Sequence, residues 1–214
     1  MVYDEFGEEI RRLYVPSEDR CSRPIPLHQL VVYNTQKKIS QLRMKVMSRL
    51  EPFPNENSMV VFIDGACRNN GSPTARASYG VYFGPESPYN RYGLVPDSLP
   101  QTSTRAEIEA FSQALEVIRA ITDRDFELSR IKIATDSSFL VKAMSQWIEK
   151  WIENGGIGSE GRRVAHFQIL KQLHEMLDYM EYSDAGGREV QFWHVPRERN
   201  NEADALANKA FDNV

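Results

Sequence analysis

Cysteine is nearly missing from this chain. Cys21 and Cys67 stand far apart, without metal-ligand spacing. That scarcity excludes a disulfide framework and a cysteine-bound zinc centre, and a reducing compartment, cytoplasm or nucleus, is the expected setting. Long hydrophobic runs are absent too. Nothing approaches the roughly 20 apolar residues of a membrane-spanning helix, so no membrane partner is expected. A positive excess is also lacking: 26 Lys and Arg against 30 Asp and Glu give a net charge of −4, which argues against a strongly basic nucleic-acid binder. The opening residues, MVYDEFGEEIRRL, carry acids where a secretory or mitochondrial leader avoids them. There is no internal repeat and no low-complexity tract.

What is present fits one domain of ordinary size with an appendage, in 214 residues. Residues 1–57 contain Pro16, Pro24, Pro26, Pro52 and Pro54 and sustain no strand pattern, so they read as an N-terminal extension. Within it Gln36–Leu50 is expected to be a helix, with Ile39, Leu42, Val46 and Leu50 on one stripe. From Val31 to Leu50 there are five cations (Lys37, Lys38, Arg43, Lys45, Arg49) and no acid, which suits either a solvated helix face or a phosphate-contacting arm. EPFPNEN then reads as a linker, and residues 58–214 as the main domain.

In the main domain VVFI, residues 60–63, reads as a strand buried on both faces, because no polar residue interrupts it. The first strand is expected over Met59–Gly65, and the Gly/Asn/Pro-rich CRNNGSPTARA turn leads to a second over Ser78–Gly84, a hairpin. A third strand is expected near Arg91–Val95. Thr104 and Glu107 have capping-box spacing, which predicts a helix from there to about Ile121. Ile131–Thr135 is the fourth strand. Helices follow over Ser138–Ile152 and Val164–Glu181, then a turn at Asp184–Gly187, a fifth strand Val190–His194 and a last helix Asn201–Asp212. Three strands followed by alternating helix and strand predict an α/β fold.

Four acids stand out. Asp64 and Asp136 each follow an apolar strand, VVFI-D and IKIAT-D. Glu107 shares a helical stripe with Phe111, Ala114 and Ile118, and Asp204 shares one with Ala207 and Phe211. Each has a structural explanation: a turn former at Asp64 and Asp136, a capping box at Glu107, a favourable helix N-terminus at Asp204. Together they would gather like charges on one sheet edge, which repel unless protonated or bridged by cations. Oxygen ligands without a His/Cys cluster favour Mg²⁺ or Mn²⁺ over Zn²⁺.

The segments DGACRNNG, GVYFG, TRAEIEA, ATDSSF, HVP and NNEADALA, in this order, resemble type 1 ribonuclease H from about Val60 to Phe211. The resemblance implies an RNase H-like α/β fold, a five-stranded mixed sheet of order 3-2-1-4-5 with strands one to three antiparallel, flanked by helices. It implies an endonuclease that cuts the RNA strand of an RNA–DNA hybrid, leaving 5′-phosphate and 3′-hydroxyl ends, and a monomer is expected. Asp64, Glu107, Asp136 and Asp204 would hold two Mg²⁺ ions, with Mn²⁺ as an alternative, and Asp64 would bridge them. Two such ions suit an in-line phosphoryl displacement.

By the same resemblance Asn70 takes the position of a 2′-hydroxyl contact, with Gly65 allowing close backbone approach and Ser103 and Thr104 beside it. Phe139, Trp147 and Trp151 fall where the family floors a DNA-strand channel with aromatic rings, although aromatics at helical spacing also suit a core. Thr102 and Ser159 match contacts to DNA phosphates, with Arg162 and Arg163 following in the NGGIGSEGRR loop. The sequence departs from the family pattern in three places. HVPRERNNEAD lacks the inserted loop with its His. Pro100 and His166 stand where vertebrate-type members have Arg and Asn. Residues 1–57 match no hybrid-binding module. The alternatives are a related nuclease with another substrate, a catalytically silent nucleic-acid-binding module, or a retroelement fragment.

Overall fold

The computed structural model describes residues 3, 7, 10–182 and 187–213. The expected turn at Asp184–Gly187 falls mostly on residues 184–186, outside the described residues. Among the described residues eight strands occur in chain order: β1 (Val31–Asn34), β2 (Ile39–Met44), β3 (Phe53–Pro54), β4 (Ser58–Arg68), β5 (Arg76–Tyr82), β6 (Arg91–Leu94), β7 (Arg130–Thr135) and β8 (Glu189–His194). The helices are α1 (Ser103–Thr122), α2 (Ser138–Lys142), α3 (Ile148–Glu153), α4 (Phe167–Tyr182) and α5 (Asn201–Lys209). A π-helical turn, Ala143–Trp147, joins α2 to α3.

The central sheet runs β6-β5-β4-β7-β8. β4, β5 and β6 pair antiparallel, while β4–β7 and β7–β8 pair parallel. This is the expected five-stranded order. The apolar runs in β4, β7 and β8 dictate it, because strands covered on both faces can be parallel only if long crossovers carry helices between them.

One face of the sheet is covered by the helices. Met59, Val61, Ile63, Ile131 and Ile133 pack there with Ile108, Phe111, Leu115 and Ile118 of α1. The other face is covered by the N-terminal segment: Tyr14, Ile25, Leu30 and Leu42 close over Val60, Ala134, Trp193 and Val195. Tyr14 meets Trp193 edge-on at 5.5 Å between ring centroids. Backbone bonds from Tyr14 N–H to the Phe192 carbonyl and from Phe192 N–H to the Arg12 carbonyl, both 2.8 Å, extend the sheet beyond β8. Arg12 is buried and donates to Asp178 at 2.6 Å and Glu181 at 2.8 Å, while its guanidinium meets His174 Nδ1 at 2.6 Å. These bonds tie the segment to α4.

The helix expected over Gln36–Leu50 is not formed. β1 and β2 make a hairpin there, and β2 touches β4 through Ser40 and Val60 where β5 has ended. The period was misleading because Ile39 and Leu42 are buried on opposite faces of the sheet, as strand alternation requires, while Leu50 on the same supposed stripe is 91% exposed. Asn34 decides the turn: its side-chain oxygen accepts from Gln36 N–H and Lys37 N–H. The basic run is also dispersed. Lys37 pairs with Asp125 at 2.7 Å, and Arg49 stacks on Phe53.

Candidate active site

Asp64 lies in β4, and Asp136 directly follows β7. The parallel register of these strands, carried two residues past the Phe62–Ala134 pair, sets the two acids side by side. Two glycines bring the helical acids to them. At Gly65 a Cβ would stand 2.3 Å from Glu107 N and 2.4 Å from the Ala106 carbonyl carbon, so β4 and α1 touch backbone to backbone. Gly65 thus seats Glu107 beside Asp64, which gives it a packing role. At Gly80, paired with Asp64 across the hairpin, a Cβ would meet Ala203 O at 2.2 Å and Ala207 N at 2.6 Å, so α5 and Asp204 lie against β5.

The capping box expected at Thr104 and Glu107 is absent. Thr102 is the N-cap of α1, its hydroxyl accepting from Arg105 N–H at 3.2 Å. Glu107, already five residues into the helix, takes its bond from the Ser137 hydroxyl. Asp64 accepts from Gly65 N–H at 2.9 Å. Asp136 accepts from Asn200 Nδ2 at 3.0 Å, and the same amide donates to the Ile63 carbonyl at 2.9 Å. Asp204 faces the exposed Arg197 at 3.7 Å. Ser137 and Asn200 were not singled out from the sequence. The available signal was their place at helix starts next to an acid, in ATDSSF and NNEADALA.

All four carboxylates are half-buried. Burial, then Asp136 and Asp204, push the Asp64 carboxyl up to about 8, against a lowering by Gly65 N–H. Burial and Asp136 also raise Glu107, against its Ser137 bond. Asp64 therefore senses Asp136 and Asp204, and Glu107 senses Asp136. All four belong to one electrostatic unit.

Among the contacts expected for a nucleic acid, Asn70 is exposed and its amide meets Ser103 Oγ at 3.4 Å. Thr104 is half-buried in the first turn of α1. Phe139, Trp147 and Trp151 form a half-buried row, with centroids 6.5 Å and 5.7 Å apart in succession. Trp147 and Trp151 line a cavity of about 440 Å³ with Lys150, Ser159, Arg162 and Arg163. Arg162 is ion-paired to Glu160 there. His194 is exposed, with Nε2 3.2 Å from the Asp136 carbonyl.

The sequence profile of the RNase H family matches residues 56–212, the stretch that carries all four acids. The chain belongs to the ribonuclease H family. Ribonuclease H1 of Rattus norvegicus is 33% identical over 156 residues, covering 71% of this chain and 50% of the relative. Ribonuclease H1 of Homo sapiens is 33% identical over 155 residues, with 71% and 49% covered. The chain thus spans about half the length of the curated relatives it matches. Among solved structures, LC11-RNase H1, isolated from compost by a metagenomic approach, is similar in fold with a TM-score of 0.53 at 23% identity, over 73% of this chain and 97% of that one. The same enzyme in complex with an RNA/DNA hybrid gives 0.52 at 23% identity, over 72% and 96%.

Ribonucleases H generally depend on divalent metal ions. The donor set fits such an ion, since it is all hard oxygen and burial, then the charges of Asp136 and Asp204, raise the Asp64 carboxyl. Among the described residues no group of three or more His, Cys, Asp or Glu is drawn together closely enough to hold a metal as it stands. Glu107 takes a donor from Ser137, Asp136 from Asn200 and Asp64 from Gly65 N–H, while Asp204 pairs with Arg197 at 3.7 Å. Among the described residues no helix is long and apolar enough to cross a membrane.

A pH dependence follows. A carboxyl raised from 3.8 to about 8 on folding keeps a proton that the unfolded chain releases in that window. Its contribution to stability is full below the lower value and is lost as pH rises through the upper. The melting temperature of the metal-free protein is therefore expected to fall between pH 4 and pH 8 by an Asp64-dependent amount, and Mg²⁺ at pH 8 should restore it. Thermal scans of the parent and Asp64→Asn chains check this; parallel pH profiles would contradict it.

Proposed function

We propose that the protein cleaves the RNA strand of RNA–DNA hybrids with Mg²⁺ or Mn²⁺ held by Asp64, Glu107, Asp136 and Asp204. One observation carries the reading: the β4–β7 register and the close packing at Gly65 and Gly80 bring Asp64, Asp136, Glu107 and Asp204 to one sheet edge. A divalent cation would relieve the burial and like charge that raise the Asp64 carboxyl. A pair of such ions, when bound, supplies an activated water and charge stabilisation of the leaving 3′ oxygen. The expected products are a 5′-phosphate and a 3′-hydroxyl.

The chain's own groups prepare that chemistry. Asn200 fixes Asp136 against the β4 backbone, and Ser137 fixes Glu107, so two acids are oriented before substrate arrives. The exposed Asn70 amide and Ser103 hydroxyl meet at the strand turn, and both can hydrogen-bond a 2′-hydroxyl, which marks the RNA strand. The aromatic row offers the DNA strand a stacking surface, and Arg162, Arg163 and Lys150 rim it with cations. Thr102, the N-cap of α1, and Ser159 would contact DNA phosphates.

The test uses labelled RNA–DNA hybrid, double-stranded RNA and double-stranded DNA, each with Mg²⁺, Mn²⁺ or EDTA. Cutting confined to the RNA of the hybrid and lost in EDTA is the expected result. Cutting of the other duplexes at a comparable rate would move the assignment to a different nuclease, and tight hybrid binding without cutting would leave a binding module.

A further inference from the structure

Arg12 is a buried charge that the cleavage chemistry above does not use. It is 7% exposed and sits in the stretch that runs beside β8 through the Leu13–Phe192 bridge. A guanidinium can only donate, so it is tolerated in the interior where its neighbours accept. Glu181 takes Nε at 3.2 Å and Nη2 at 2.8 Å, and Asp178 takes Nη2 at 2.6 Å. Nη1 has a different partner, Nδ1 of the buried His174, at 2.6 Å. That contact fixes the state of the ring. Nδ1 accepts from Nη1 only with its lone pair free, so the imidazole is neutral and carries its proton on Nε2. Nε2 faces Asp178 at 3.2 Å, which suits donation.

A proton on Nδ1 would break this arrangement. A carboxyl oxygen accepts in either protonation state, but an imidazolium nitrogen does not, so two donors would meet at 2.6 Å. The charged groups around the ring are Arg12 from the N-terminal segment, Glu149 from α3, and Asp178 and Glu181 from α4. The three acids favour the charged ring. Burial and, after it, Arg12 oppose them and prevail, holding His174 below its ordinary value of 6.5. A cavity of about 300 Å³, lined by Arg11, Arg12, Ser145, Gln146 and Glu149, gives solvent a way to Arg12.

We propose that Arg12 and His174 form a pH-sensitive clasp, which holds residues 10–14 against β8 and α4 at neutral pH and releases them in mild acid. The neutral ring completes the bonding of Arg12; the charged ring repels it. Release frees Tyr14 N–H and Phe192 N–H, whose bonds to the Phe192 and Arg12 carbonyls keep the stretch on the sheet edge. Ile25, Leu30 and Leu42 remain anchored in the second core, so the opening is local. The sign is that of a group kept neutral by folding. Its contribution is full above 6.5 and is lost as pH falls below that value. Asp64 acts in the opposite direction, so a local probe separates the two.

The experiment follows amide hydrogen exchange in the full chain, expressed as protection factors so that the intrinsic pH dependence of exchange cancels. Protection at Tyr14 and Phe192 is expected to fall roughly tenfold or more between about pH 7.5 and about pH 5, while Val61 and Ile133 in the main core change by less than about threefold. His174→Asn offers an amide oxygen near the place of Nδ1 and cannot titrate. Its protection at Tyr14 and Phe192 should stay level within about threefold over the same range. The His174 ring of the parent is titrated in parallel by nuclear magnetic resonance and is expected to protonate below 6.5.

Protection at Tyr14 and Phe192 that is flat in the parent, or that falls equally in His174→Asn, would overturn the clasp. If His174→Asn does not fold, the parent decides alone. A ring that titrates at or above 6.5 would then overturn it, because folding would favour the charged form.

Discussion

Asp64→Asn is expected to lower the rate of hybrid cleavage a thousandfold or more in Mg²⁺ while leaving the fold intact. The size follows from the position: burial, then Asp136 and Asp204, push the Asp64 carboxyl up. In the proposed mechanism its loss would weaken the hold on cations worth several kcal/mol of transition-state stabilisation, where about 1.4 kcal/mol is a factor of ten. The fold survives because an amide oxygen can still accept from Gly65 N–H. Indeed the metal-free variant should melt higher than its parent at pH 8, since a charge disfavoured by burial and two acidic neighbours has been removed. Steady-state cleavage, paired with thermal scans, reads both effects. A variant with near-parental turnover would dismiss Asp64 from the chemistry, and one that fails to fold would make its role structural.

A chain that begins at Ser58 should not hold the native fold, although it contains nearly all of the family match. Residues 1–57 supply Tyr14, Ile25, Leu30 and Leu42, each no more than 4% exposed, to the second core. Burying such side chains is worth about 1.5–3 kcal/mol each, so roughly 6–12 kcal/mol is at stake as an upper estimate. Whole domains have only about 5–15 kcal/mol of stability. Truncation would also strip Arg12 from Glu181, whose side chain is only 10% exposed, leaving a carboxylate without its cation. Circular dichroism and urea unfolding of the truncated protein should show loss of cooperative unfolding at 25 °C. Leu30→Ala in the full chain, a milder form of the change, should cost about 2–5 kcal/mol. A truncated chain melting within a few degrees of the parent would mean that the extension merely rests on the sheet.

The four acids stood out in the sequence because Asp64 and Asp136 follow strongly apolar strands and Glu107 and Asp204 lie on apolar helix stripes. Val60–Ile63 and Ile131–Thr135 could only be buried strands, and the carboxylates after them had to meet once those strands paired in parallel. The partner of β4 on its second face was not legible. Ile39 and Leu42 are compatible with either period over so short a span, and only Asn34, a turn former, distinguished hairpin from helix. Glu107 fits a capping box by spacing alone; Thr102 displaces Thr104 as the cap because its hydroxyl reaches Arg105 N–H. Ser137 and Asn200 act through bonds to residues 30 and 64 positions away, which no local pattern records.

The central claim is that four carboxylates from β4, α1, α5 and the end of β7 form one cation site. Crystals of the full chain grown with Mn²⁺ and measured at the manganese absorption edge test it directly. The account predicts a pair of anomalous peaks enclosed by Asp64, Glu107, Asp136 and Asp204, both absent from Asp64→Asn crystals grown the same way. Manganese bound elsewhere with this quartet empty, or peaks unchanged in the variant, would contradict it.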